Sequence, residues 1–198
     1  MSIQPALRTS CEIAGYSFDE FVEMVRRFHG YEAPGLLIGG FMVGMALEQL
    51  PANILYDAIS ETRTCLPDAI QLLTPCTVGN GWLKIAPFGR FALTLYDKTR
   101  GDHKGVRVFL DHRKLIAWPE IYAWFFKLKS KESTRHSITD EIKDAGEAIL
   151  GIQRIQVAGE FCVKHHNGKI GICPKCDEAY PVRDGDLCLA CQGNEMYL

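Results

Sequence analysis

Residues 65–82, Cys65-Leu-Pro-Asp-Ala-Ile-Gln-Leu-Leu-Thr-Pro-Cys76-Thr-Val-Gly-Asn-Gly-Trp82, decide how the chain is built. Two cysteines bracket a short apolar segment, with one proline just after the first and another just before the second. Pro67 suits the first turn of a helix, where its missing N–H has no partner in any case. Asp68 adds negative charge at the positive end of that helix. Pro75 stops the helix, and Gly79-Asn80-Gly81 opens a turn. Cys65 is therefore expected at a helix N-terminus, where partial positive charge favours thiolate over thiol. Cys76 is expected beyond the other end. The two sulfurs meet only if the tertiary structure brings them together; the alternative makes both of them small buried hydrophobes.

Ile54 to Thr62 reads as a strand leading into Cys65. Before it, Pro34 starts a helix that runs to Glu48. Gly35, Gly39, Gly40, Gly44 and Ala46 recur along this helix. Each helical glycine costs about 1 kcal/mol relative to alanine, so close approach of another element is the expected compensation. Ser17-Phe-Asp-Glu20 reads as a capping box, followed by Phe21, Val22, Val25 and Phe28 at helical spacing. Gly30 is the expected terminator, which puts His29 at that helix's end. Residues 1–16 carry little pattern.

After the bracketed segment, Trp82–Ala86, Arg90–Tyr96 and Gly105–Asp111 read as strands, the last two by alternation. Turns at Pro87-Phe-Gly89 and Arg100-Gly-Asp102 suit antiparallel neighbours. Helices return at 118–129, rich in aromatic residues that suit a core or an interface, and at 139–150, capped by Thr139 and closed by Gly151. Residues 152–163 read as a strand or linker. This order is α+β rather than a repeated βαβ unit.

With 198 residues, 47% hydrophobic and 23% charged, the chain has room for one main domain and a small appendage. A net charge of -2 offers no electrostatic basis for nucleic acid or a membrane surface. The N-terminus lacks a secretory pattern, and Pro34–Leu50 is too short to span a bilayer. Eight cysteines in that setting point to reduced thiols and metal ligation, and to a cytoplasmic protein.

The sharpest signal is the tail. Cys173-Pro-Lys-Cys176 and Cys188-Leu-Ala-Cys191 form two knuckles presenting four sulfurs to a tetrahedral zinc ion. A redox pair or an iron site of rubredoxin type is the alternative. A closed four-thiolate zinc site has no open position, so the expected role is structural.

Three further stretches resemble a known family, the FmdE-like proteins, named for their association with formylmethanofuran dehydrogenase. They are Phe28-His29-Gly30-Tyr31-Glu32-Ala33-Pro34-Gly35, then Cys65-Leu66-Pro67-Asp68-Ala69-Ile70-Gln71, then Thr74-Pro75-Cys76-Thr77-Val78-Gly79-Asn80-Gly81-Trp82. The family pattern has a second His where Tyr31 stands and a Cys where Ala33 stands. The resemblance implies an α+β core with a mixed sheet packed with helices, over residues 1–160. It implies a treble-clef or zinc-ribbon module over 161–198, and a homodimer.

It also implies a cleft in which His29, Tyr31, Cys65 and Cys76 hold a second metal or a cofactor. Tyr31 and Glu32 are candidate oxygen ligands there. The leading functional expectation is a metal- or cofactor-binding accessory protein linked to anaerobic molybdenum or tungsten enzyme systems, with such an oxidoreductase as partner. One alternative is a thiol- or metal-dependent enzyme using Cys65 with His29 as base. Another is a carrier of a planar cofactor such as haem in a dimer cleft. Cys11 reads as an ordinary thiol, His165-His166 beside Cys162 as a weaker ligand group, and His103 and His112 as solvent-facing.

Overall fold

The computed structural model describes residues 12–128, 135–163 and 168–194; Cys11, His165 and His166 lie outside them. The chain divides into two compact units, residues 1–162 and 163–198.

The first unit opens with a two-stranded hairpin, β1 (Glu12–Ile13) and β2 (Tyr16–Ser17), that runs into helix α1 (Phe18–His29). The capping box forms as the sequence dictates: Ser17 accepts from the N–H of Glu20, and the Glu20 carboxylate takes the N–H of Ser17 at 2.8 Å. Gly30, at φ +90°, closes the helix by donating to the carbonyl of Arg26. Phe18, Phe21, Val22 and Val25 face inward.

Helix α2 (Pro34–Glu48) is the axis of the core, with residues 35–44 all buried. A helix apolar all round must be enclosed on every side, and its glycines are where the enclosure is tightest. A Cβ on Gly39 would stand 2.7 Å from the Cβ of Ala69, and one on Gly40 only 2.3 Å from the Phe21 ring. One glycine row thus admits the following helix, and the other admits α1 and the hairpin.

Strand β3 (Tyr56–Ser60) leads through a loop into α3 (Leu66–Leu73), which returns to β4 (Leu83–Ile85). β5 (Ala92–Asp97), β6 (Lys104–Leu110) and β7 (Leu150–Gln156) complete a mixed sheet in the order β4-β3-β5-β6-β7. β3 and β4 are parallel, and the other pairs are antiparallel. The turn at Pro87-Phe-Gly89 does not join neighbours, contrary to the sequence reading. β4 and β5 flank β3 on opposite sides, because α3 supplies a crossover that makes β3 and β4 parallel partners.

Between β6 and β7 lie α4 (Pro119–Phe125) and α5 (Arg135–Ala145). The expected helix over 139–150 is displaced. It begins earlier, breaks at Gly146 (φ +48°), and Leu150 already belongs to β7. Gly151 is not a helix terminator; it lies within β7, where a Cβ would meet the Phe109 ring at 2.3 Å.

Helices cover one face of the sheet with the main core, including Ala58, Leu93, Leu95, Val106 and Val108. On the other face Ile59, Ala86 and Tyr96 pack with Val157, Phe161 and Cys162. The same face carries buried Glu61, which takes Arg107 Nε at 2.6 Å on one oxygen and Arg90 Nε at 2.6 Å on the other. No helix among the described residues is long and apolar enough to cross a membrane.

The second unit is small: β8 (Ile170–Ile172) pairs antiparallel with β9 (Ala179–Pro181), and the cysteine knuckles follow each arm.

Candidate functional site

The two Cys-x-x-Cys knuckles fold onto one point. The sulfurs of Cys173, Cys176, Cys188 and Cys191 all lie within 4.8 Å of one another. Cys176 and Cys188 are 3.7 Å apart, the separation of two ligands on a tetrahedron with Zn–S bonds of about 2.3 Å. The N–H of Cys188 donates to the Cys173 sulfur at 3.5 Å and holds that thiol down to about 6. Desolvation and its sulfur neighbours push Cys191 up to about 12. Four crowded thiols do not ionise together without a cation, so the donor set fits a structural zinc and leaves no open position.

The second constellation lies at the N-terminus of α2. Cys65 immediately precedes α3, on a backbone at φ 55° and ψ -48°, with the N–H of Leu66 donating to the carbonyl of Thr64 at 2.5 Å. This is a γ-turn of the φ-positive form, which is rare and strained for a residue with a side chain. The turn lays the thiol on Gly35: a Cβ there would stand 3.0 Å from Cys65 Cβ, 3.2 Å from its sulfur and 3.4 Å from Trp124. Only glycine at the second position of α2 leaves that seat open.

His29, at the end of α1, places Nδ1 2.9 Å from the carboxylate of Asp68 in the first turn of α3. Tyr31 lies beside it, with ring centroids 4.9 Å apart. Lys127, also at positive φ, holds its ammonium 5.3 Å from the Trp124 ring. His29 with Asp68 and Tyr31, and Cys65 with Gly35 and Trp124, thus gather at the α2 entry, and the charges of Asp68 and Lys127 both act on the Cys65 thiol.

The geometry changes three sequence expectations. Cys65 does not favour the thiolate: burial, then the Asp68 carboxylate, push its thiol up, and Lys127 opposes them only in part. Cys76 does not join His29 and Cys65. It sits past the far end of α3, fully buried, its sulfur 3.6 Å from the carbonyl of Tyr56, and burial pushes it up to about 11. Among the described residues, the four tail cysteines are the only group of three or more His, Cys, Asp or Glu side chains placed to hold a metal ion between them. Glu32 is engaged elsewhere, accepting Arg26 Nη2 at 2.5 Å and Nε at 3.0 Å.

His112 is exposed, but His103 is not simply solvated: it lies edge-on to Tyr96 at 6.1 Å with Nδ1 buried. Asp68 as a partner of His29, and Trp124 and Lys127 as walls, escaped the sequence reading. Asp68 looked like an ordinary helix-start acid, and Trp124 like one member of an aromatic core stretch.

A helix-covered mixed sheet followed by a four-cysteine module, with a His–Asp pair and a thiol at one helix entry, defines a recognisable class. Residues 28–157 match the family model described as "FmdE, Molybdenum formylmethanofuran dehydrogenase operon", and residues 164–198 match "FmdE treble clef zinc finger". The chain belongs to the FmdE family.

A tungsten formylmethanofuran dehydrogenase FmdE-like protein from Syntrophus aciditrophicus is similar in structure, with a TM-score of 0.88 and 55% identity, over 96% of this chain and 100% of that one. A relative from Archaeoglobus fulgidus, described as a probable S-adenosyl-L-methionine-binding protein, is 30% identical over 191 residues. The match covers 85% of this chain and 51% of that relative, so the chain spans about half its length.

Proposed function

We propose that this protein is an accessory binding module that holds a metal ion, or a ligand carrying one, at the entry of α2, with His29 and Cys65 as its protein ligands. The observation that carries the reading is the His29–Asp68 pair at 2.9 Å. A metal-ligating histidine characteristically donates its other ring nitrogen to a carboxylate, which fixes the ring and raises its basicity. Here that partner is in place, and Nε2 is left for a ligand. An imidazole and a thiol together suit zinc or another borderline-soft ion. Tyr31 and Ala33 stand where the family pattern has His and Cys, so further ligands come from the bound molecule or from a second copy of the chain. Work alongside a molybdenum or tungsten oxidoreductase is the setting that the family's description and the neighbour's title suggest; a homodimer within the cytoplasm is part of the same proposal and rests on neither.

The enzyme reading stands second, and one observation favours it: a strained cysteine between strand and helix is the placement of many nucleophiles. A thiol that burial keeps protonated is a poor resting nucleophile, however.

Metal analysis of protein purified without oxygen tests the proposal. Two ions per chain are expected, falling to one in His29→Ala and one in Cys173→Ser. A single ion per chain, unchanged in His29→Ala, would overturn it.

A further inference from the structure

A cavity of about 290 Å³ lies at the opposite end of β3 from Cys65, at the small end of ligand-pocket sizes. One wall is apolar, from Leu50 and Ile54 ahead of β3 and Ile155 of β7. The other is cationic: Arg100 from the β5–β6 turn, Lys104 from β6 and Arg154 from β7. The carboxylates at the rim, Asp97 and Asp102, offset the charges of Arg100 and Lys104 in part and leave Arg154 without an acidic partner. Asp97 is committed to its turn, one oxygen accepting the Thr99 N–H at 2.7 Å and hydroxyl at 2.6 Å, and its other oxygen is 3.6 Å from Arg100 Nε. Asp102 pairs with Lys104 at 2.9 Å, a solvent-exposed contact of small worth.

Arg154 is different. Its two terminal nitrogens donate to the carbonyl and the side-chain oxygen of Gln49, each at 2.9 Å. Capping the end of α2 in this way uses two of the five donors an arginine carries. Both partners are neutral, and no carboxylate among the described residues lies within 4.0 Å of it in an ion pair. The guanidinium is therefore fixed in place without a carboxylate partner, its charge met only by the carbonyl end of α2 and by water, and its remaining donors can take an anion.

The geometry points to a second binding site here, for a small organic phosphate: Arg154 anchors the phosphate, Arg100 and Lys104 close on it, and the apolar wall takes the organic part. This site is independent of the His29–Cys65 entry. Phenyl phosphate, inorganic phosphate and phenol are the probes, titrated calorimetrically into the full chain. Phenyl phosphate is expected to bind more tightly than inorganic phosphate, and phenol not at all. Affinity is expected to fall about tenfold or more in Arg154→Gln, and to weaken with added salt. Because Arg154 also caps α2, the exposed pair Arg100→Gln/Lys104→Gln serves as a second variant with no packing role, and the same direction is expected. Binding of phenyl phosphate that neither variant weakens, binding no tighter than that of inorganic phosphate, or no binding at millimolar concentration would each overturn the assignment.

Discussion

Thiols in the tail and thiols in the core obey opposite rules. In the C-terminal unit, four cysteines spaced as two knuckles close on one point, and the second unit offers little else to hold it. In the core, Cys65 and Cys76 bracket α3 with a proline beside each, yet the helix keeps them apart. One is seated on Gly35 beside the His29–Asp68 pair; the other is sealed against the carbonyl of Tyr56. Ligand identity alone therefore defines a site only where the spacing is short enough for local turns to enforce convergence. Across a helix and a sheet, packing decides.

The sharpest way to break this contrast is to remove the tail metal. Chelation, or Cys173→Ser, is expected to unfold residues 163–198 while the core keeps its transition, since zinc supplies about 10–16 kcal/mol to such modules. Limited proteolysis reads this, and a protease-resistant tail after chelation would contradict it. The core should answer instead to packing. Gly39→Ala drives a Cβ to 2.7 Å from Ala69, and overpacking of this kind costs about 1–3 kcal/mol. Denaturant unfolding should show that loss with the tail's zinc content unchanged.

The two core cysteines should also separate. Cys76→Ser places a hydroxyl at a fully buried position, 3.6 Å from the carbonyl its sulfur meets, and is expected to cost about 1–3 kcal/mol. Cys65→Ser, at a half-open site, should stay within about 0.5 kcal/mol. Equal losses would mean that the two positions are alike after all.

The smallest effect concerns acid. Burial alone would raise the Glu61 carboxyl, but Arg107 and Arg90 together hold it below the usual range. The unfolded chain then binds more protons than the folded one, so this contribution is complete above the unfolded value, about 4.3, and fades as pH falls through the lower folded one. A Glu61→Gln variant should lose that slope in acid unfolding curves.

How much of this was legible depended on range. The capping box of Ser17 and Glu20, the stop at Gly30, the start at Pro34 and the two tail knuckles are set by neighbours within a few residues, and the structure forms each as the sequence implies. The glycine rows of α2 announced close approach without saying of what. The His29–Asp68 contact spans 39 residues, and nothing local marks it. The parallel pairing of β3 with β4 and the seating of Phe109 on Gly151 are likewise choices of the assembled sheet. The positive φ at Cys65 is unexpected from its residue type, and no neighbouring residue in the sequence announces it.

Cobalt titration of protein brought to one zinc per chain, held in the four-cysteine tail, with visible absorption as the readout, tests the α2-entry site most directly. Wild type and Cys76→Ser should each take up one further cobalt with a thiolate-to-metal band, and Cys65→Ser and His29→Ala should not. Uptake that disappears in Cys76→Ser, or no second equivalent in any of the four proteins, would contradict the account.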